Sequence, residues 1–410
     1  MKIVSDMKTF RFIVLMFVSV ALLLSCRTRE ASLPEDVREQ ISQAVEESMA
    51  EGNFPGAVIC VTHEGNTVYL EAFGNASVFP DTTAMETGMM FDLASLSKCF
   101  GTTLSFMQLI ESGKVGLSDR VCDHIPGFKP WIDPETGETV DITIQDLMTH
   151  SSGVPAYLSN VPRFVEEHGT HCPEDLERQI AEVEGRRFRP GTDFLYSCLN
   201  FITLQYILEH ETGEPLWKYA EKNVFGRLGL RHTCYFPLEE DCLTPAEHRD
   251  LAALCVPTEV IDGKALKAAV HDPTARLVNG GNSGNAGVFS TAEDLAVICN
   301  ALFYPPKGRR RILSPETIEL MRTVPSGNDP SVGRALGWDS RSSHSGIKGT
   351  IFNPETVLCH TGYTGTSAVL DFETKTAVII LTNRVHPVDD GACGPLRSRI
   401  ADIVAAAVKN

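Results

Sequence analysis

With 410 residues and 43% hydrophobic content, the chain can bury a real core and exceeds the roughly 100–200 residues of one typical domain. Its formal charge of −17 argues against a nucleic-acid partner, because phosphate binding needs a basic face. The twelve cysteines are scattered with no C-x-x-C pair, which points away from zinc and from a compact disulfide framework.

The chain opens as an export signal. Lys2, Lys8 and Arg11 precede an apolar run, Phe12 to Leu24, broken only by Ser19. The run has the length of a signal-peptide core and is shorter than the roughly 20 residues of a spanning helix. It ends in Leu23-Leu24-Ser25-Cys26, which resembles a bacterial lipobox. The resemblance implies cleavage before Cys26, lipidation of its sulfur, and anchoring to a bacterial membrane without a span. Such a cut removes three basic residues and Asp6, moving the charge from −17 to −19. The expected organisation is a signal over 1–25, a tether over 26–35 and one hydrolase-like domain over 36–405. Within that domain an α/β part takes about 36–120 and 287–410, and a helical part about 121–286.

Pro34 is expected to open a helix to about Met49, with Val37, Ile41, Val45 and Met49 at fourfold spacing. Ala57–Thr62 and Thr67–Phe73 then read as a hairpin around His63-Glu64-Gly65-Asn66. A helix is expected over Leu96–Ser112. Ser290-Thr291-Ala292-Glu293 reads as a capping box, and Ser314-Pro315 as another helix start. Ser367–Phe372 and Ala377–Thr382 read as strands, and Leu396–Val408 as a closing helix. The fold expected is α/β (α+β): an antiparallel sheet built from both chain ends, flanked by helices, with a mainly helical insertion.

Ser95 and Lys98 stand three apart at the start of the helix expected at Leu96, so hydroxyl and amine can share a face. A serine hydroxyl needs a base, and a lysine serves if its surroundings lower its pKa towards about 7–8. The pattern alone is weak, since Ser5-x-x-Lys8 and Ser345-x-x-Lys348 repeat it. Four further blocks in order give it weight: Gly113–Asp119, Ile142–Gly153, Pro190–Ser197 and His360–Gly365. With these the chain resembles the β-lactamase-related serine hydrolases, which include class C β-lactamases, D-alanyl-D-alanine carboxypeptidases, D-aminopeptidases and esterases. The blocks span about residues 55–385.

The resemblance implies a serine hydrolase acting through an acyl-enzyme on Ser95. Lys98 and Tyr196 would share the proton transfers, either being the working base. His360-Thr361-Gly362 would form the third motif, lining the substrate pocket. The backbone N–H groups of Ser95 and Tyr363 would form the oxyanion hole. No metal or organic cofactor is implied. Substrates would be small esters or amides, with D-amino-acid peptides and β-lactams among the candidates; oligomeric state is left open. Two departures bear on specificity. The usual Tyr-x-Asn is Tyr196-Ser197-Cys198 here, and the usual lysine of the third motif is His360. Asn200 is expected to face away on its helix. The alternative is a non-catalytic or single-turnover surface lipoprotein that binds wall fragments or β-lactams.

Overall fold

The computed structural model describes residues 32–183, 185–236 and 245–409. The signal and lipobox expectations fall outside them. Helix α1, Glu35–Ala50, follows Pro34 as expected. Its buried Val37, Ile41 and Val45 form the stripe that the fourfold spacing foretold. Strands β1, Gly56–His63, and β2, Asn66–Ser77, pair around Glu64-Gly65. Both residues take positive φ, 49° and 82°, as a two-residue hairpin turn requires. β3, Thr83–Ala84, extends that edge.

The chain then enters the short strand β4, Phe91–Asp92, and the segment Lys98–Thr103, which winds as a π-helix before α2, Leu104–Glu111. The single α-helix expected over Leu96–Ser112 does start at Leu96 but is interrupted by this π-helical stretch before α2. Thr103 Oγ1 donates to the Lys98 carbonyl at 2.6 Å, and Ser105 Oγ to the Gly101 carbonyl at 2.8 Å. Side-chain donors that engage main-chain carbonyls perturb the regular ladder in this way.

In the helical region, α3, Ile144–Met148, carries a capping box between Thr143 and Asp146, and α4, Cys198–Thr212, is capped by Ser197. A three-stranded patch joins β4, β5 (Cys234–Tyr235) and β6 (Val288–Ser290), with β6 central. The box expected at Ser290 is shifted by one. Ser290 ends β6, and Thr291 caps α5, Ala292–Phe303, by accepting the Asp294 N–H. The chain returns through β7, Val357–Thr361, β8, Ser367–Asp371, β9, Thr376–Thr382, and the terminal helix α6, Gly394–Lys409.

The main sheet is antiparallel in the order β7-β8-β9-β1-β2-β3. Strands from both ends meet where β1 pairs β9, Ile59 opposite Ile380. Alternation assigns the two faces. Ile59, Val61, Val378 and Ile380 pack with Ile41, Val45, Ile400 and Val404 of α1 and α6. Val58, Cys60, Ile379 and Leu381 belong to a second core with Phe100, Phe106, Leu204 and Leu295. Leu358 of β7 joins this second core; His360, two residues on, shares its face. The pleat thereby turns His360 towards the helical region, where the nucleophile candidate lies. Of the ten cysteines described, nine are buried, the expected behaviour of small apolar side chains. Among the described residues no helix is long and apolar enough to cross a membrane.

Candidate active site

Ser95 sits at the head of the π-helical segment, after a tight turn in which Ala94 takes φ 46°. An alanine in that region costs about 1 kcal/mol or more and persists only where its surroundings hold it. Here the holding group is Asp92, which sequence reasoning missed. Its Oδ1 accepts the Ala94 N–H at 2.8 Å and its Oδ2 the His271 N–H at 2.7 Å. Burial pushes the Asp92 carboxyl up, against the pull of those two N–H groups. The following carbonyls are tied as well, Asp92 O by Thr364 Oγ1 at 2.7 Å and Leu93 O by Thr366 Oγ1 at 3.0 Å. The nucleophile turn is thereby fastened to the segment after β7. Gly362 has no room for a side chain there: a Cβ would lie 2.3 Å from the Leu93 carbonyl oxygen.

Lys98 is fully buried (0% exposed). Its ammonium donates to Ser95 Oγ at 3.1 Å, to the Asn285 carbonyl at 2.9 Å and to Cys198 Sγ at 3.4 Å. These match its three N–H donors. The Asn285 carbonyl comes from the glycine-rich loop 280–287, which therefore serves the site. Burial alone would lower the lysine, but Cys198 and Tyr196 pull the other way and leave it above the usual lysine range. The direction is opposite to the lowering that a lysine acting as base would need.

Tyr196 is half-buried, with its phenolic oxygen shut off from solvent and without a hydrogen-bond partner. The Lys98 ammonium lies 5.0 Å from the centre of its ring. Burial raises the phenol above the ordinary tyrosine value, and Lys98 opposes that rise. His150 stacks on Tyr196 at 4.5 Å and accepts the Ser197 N–H at 3.1 Å through Nδ1. It thus props the second-motif turn. Asn200 faces Ser152, whose hydroxyl donates to its Oδ1 at 2.7 Å.

Ser95, Tyr196, Cys198, His360, Thr361 and Tyr363 line one cavity of about 600 Å³. His360 Nδ1 bonds the Thr361 carbonyl at 2.9 Å, leaving Nε2 buried without a partner. Burial, with Arg334 second, holds this imidazole well below its usual value. Tyr363 is 59% exposed at the rim, where its ring stacks on His271 at 5.6 Å and its hydroxyl donates to Asp389 at 2.6 Å. Among the described residues, neither the Ser95 nor the Tyr363 main-chain N–H has a protein acceptor. The second candidate pair is of another kind. Lys348 donates to Ser345 Oγ at 2.6 Å, and that hydroxyl donates to the Ser342 carbonyl at 2.8 Å. Its proton is committed to a turn.

The family model described as Beta-lactamase matches residues 41–402. The chain belongs to that family. Among curated relatives it is similar to an N-acetylmuramyl-L-alanine amidase of Bacillus subtilis (strain 168), 29% identical over 377 residues. That alignment covers 86% of this chain and 82% of the relative. It is also similar to a putative D-alanyl-D-alanine carboxypeptidase of Escherichia coli (strain K12), 29% identical over 363 residues, covering 83% of this chain and 81% of the relative. In fold it matches EstCE1, a hydrolase with promiscuous acyltransferase activity. The TM-score is 0.70 at 23% identity, over 90% of this chain and 98% of that one. The octameric penicillin-binding protein homologue from Pyrococcus abyssi superposes with TM-score 0.65 at 22% identity, over 90% of this chain and 77% of that one. This member of the β-lactamase family is a serine hydrolase of that fold, with the antiparallel sheet and helical region expected from the sequence.

Proposed function

We propose that this hydrolase works through an acyl-enzyme on Ser95. The observation that carries the reading is the buried Lys98 ammonium 3.1 Å from Ser95 Oγ at the wall of the cavity. Because that ammonium donates to Oγ, the hydroxyl proton has to leave by another route, and the unpartnered Tyr196 phenol is the group beside it. Tyr196 as phenolate takes the proton while Oγ bonds the substrate's carbonyl carbon. Lys98 stabilises the phenolate by its charge. The phenol then protonates the departing alcohol or amine, and water attacks the ester by the reverse path. The free N–H groups of Ser95 and Tyr363 receive the oxyanion. Thr361 and His360 form the wall along which substrate lies.

The substrates are small esters or amides. The names of the relatives, an amidase and putative carboxypeptidases, favour cell-wall peptides with D-amino acids over β-lactams. The second-motif Asn is replaced by Cys198, whose thiol is a weak donor to a substrate amide. The same replacement favours the second reading, a lipoprotein that acylates once without turnover. A fluorophosphonate probe separates these outcomes. One adduct by intact mass, absent in Ser95→Ala, together with repeated turnover of an ester, is expected. An adduct with no product release would leave the single-turnover reading, and no adduct on folded protein would leave only the non-catalytic binder.

Export and a lipid anchor at Cys26 complete the proposal. Cys26→Ser is expected to move the protein from the membrane to the soluble fraction of a bacterial expression host. An unchanged partition would rule the anchor out.

A further inference from the structure

The chain is acidic as a whole, with 53 Asp and Glu against 36 Lys and Arg. Exposed arginines such as Arg120, Arg163 and Arg341 accordingly find carboxylates. One loop departs from that pattern. After α5 the chain turns through Pro305-Pro306 into Lys307-Gly308-Arg309-Arg310-Arg311, with a 3-10 turn over Gly308–Arg310. All four basic residues are exposed. Arg311 reaches Glu111 at 3.7 Å, whereas Lys307, Arg309 and Arg310 pair with no carboxylate among the described residues. Arg227 adds a fifth positive charge, donating to the Arg311 carbonyl at 3.3 Å.

Beside the loop is a hollow of about 660 Å³, lined by Leu228, Val297, Ala301, Tyr304 and Arg310, with Glu64 its one carboxylate. Val297 and Tyr304 are 43% and 48% exposed. Apolar side chains and a tyrosine rimmed by cations suit the boundary between lipid headgroups and acyl chains.

The point where the chain enters the fold is a second, separate observation. Leu33 N–H donates to the Val68 carbonyl at 3.1 Å. Val68 lies three residues past the hairpin turn at Gly65, about 10 Å along β2. Tyr304 covers that same turn, since a Cβ on Gly65 would lie 3.6 Å from its ring, and Asn300 Nδ2 donates to the Gly65 carbonyl at 3.3 Å. Basic loop and chain entry thus border one end of the main sheet. Seven residue steps join Cys26 to Leu33, so an anchor at Cys26 keeps this end within about 25 Å of its bilayer. The cavity is elsewhere. Val357 of β7 is level with Asp371, Thr376 and His63 beside the turn, while Thr361, on the cavity wall, is level with Ser367, Ile380 and Ile59.

We infer that the 304–311 loop and the hollow beside it form a docking face for a bilayer that carries anionic phosphate headgroups. The inference goes beyond the hydrolase reading and takes from the proposal above only the Cys26 anchor, which brings the face to the membrane. The loop cations meet lipid phosphates, and Tyr304 and Val297 rest at the headgroup boundary. So few cations hold weakly by themselves. Beside an anchor they select which end of the body faces the membrane, and the cavity, towards the other end of the strands, stays clear of it.

The test uses residues 33–410, one compact unit that holds both cores and lacks Cys26. Its sedimentation with pure phosphatidylcholine vesicles is compared, at low salt, with vesicles in which phosphatidylglycerol replaces part of the lipid. The anionic vesicles are expected to bind it at least about tenfold more tightly, and about 1 M salt should abolish the difference. Lys307→Gln, Arg309→Gln and Arg310→Gln together should erase the preference while ester turnover is unchanged. The same loss of charge elsewhere, Arg120→Gln, Arg163→Gln and Arg341→Gln, should leave it intact. Equal binding of the unsubstituted protein to both vesicles overturns the inference, and that comparison needs no variant. A preference that survives the loop substitutions overturns it too. A preference found together with an unchanged Cys26→Ser partition would keep the docking face and remove the anchor.

Discussion

Lys98→Met is expected to lower kcat/KM on an ester substrate by about 10³-fold or more, with the fold retained. The ammonium touches Ser95 Oγ directly and is the nearest positive charge to the Tyr196 phenol. Removing it strips both the nucleophile and its base of their electrostatic support. Methionine has the length to fill the space among Tyr196 and Phe201, whose rings flank the lysine at 5.0 and 5.9 Å. A far-UV spectrum and an unfolding curve like those of the unsubstituted chain would establish that the loss is chemical. Ser95→Ala with Lys98→Met should be no slower than either alone, because residues acting as one unit are not additive. A Lys98→Met enzyme within tenfold of the parent would remove lysine from the mechanism.

The second large effect is in the pH profile. The base must lose its proton to act, and burial sets the Tyr196 phenol above its ordinary value of 10.0 while Lys98 keeps its proton. Below that value the active fraction grows with pH, so kcat/KM should climb by about tenfold per pH unit from 7 to 9 without a plateau. Tyr196→Phe should cost about 10²–10⁴-fold and flatten the climb. A plateau by pH 8 would instead assign the base to a lysine of lowered pKa, the tuning expected from the sequence alone. Measuring the profile with a neutral ester keeps the substrate's own ionisation out of it.

The blocks around Ser95, Tyr196 and His360 were legible because each is local: a few residues whose order along the chain fits one family. The helix and strand positions were legible for a similar reason. Fourfold apolar spacing in α1, the turn at Glu64-Gly65 and the Pro315 start all act over one or two turns of chain. The Ser290 box slipped to Thr291 because the pairing of β6 with β4 and β5 claims Ser290 for the strand. The π-helical stretch of the nucleophile helix was hidden because Thr103 and Ser105 bind carbonyls only once that segment is packed.

By itself the sequence determined which residues could do chemistry, and that the two chain ends carry the strands of one sheet. Tertiary structure decided what those residues are to each other. Asp92 became the clamp on the Ala94 turn because His271, far along the chain, brings the second N–H to its carboxylate. The Asn285 carbonyl and the Cys198 thiol reached Lys98 from distant segments. Electrostatic environment and hydrogen-bond completeness are sums over neighbours in space, so a residue's type and spacing do not encode them.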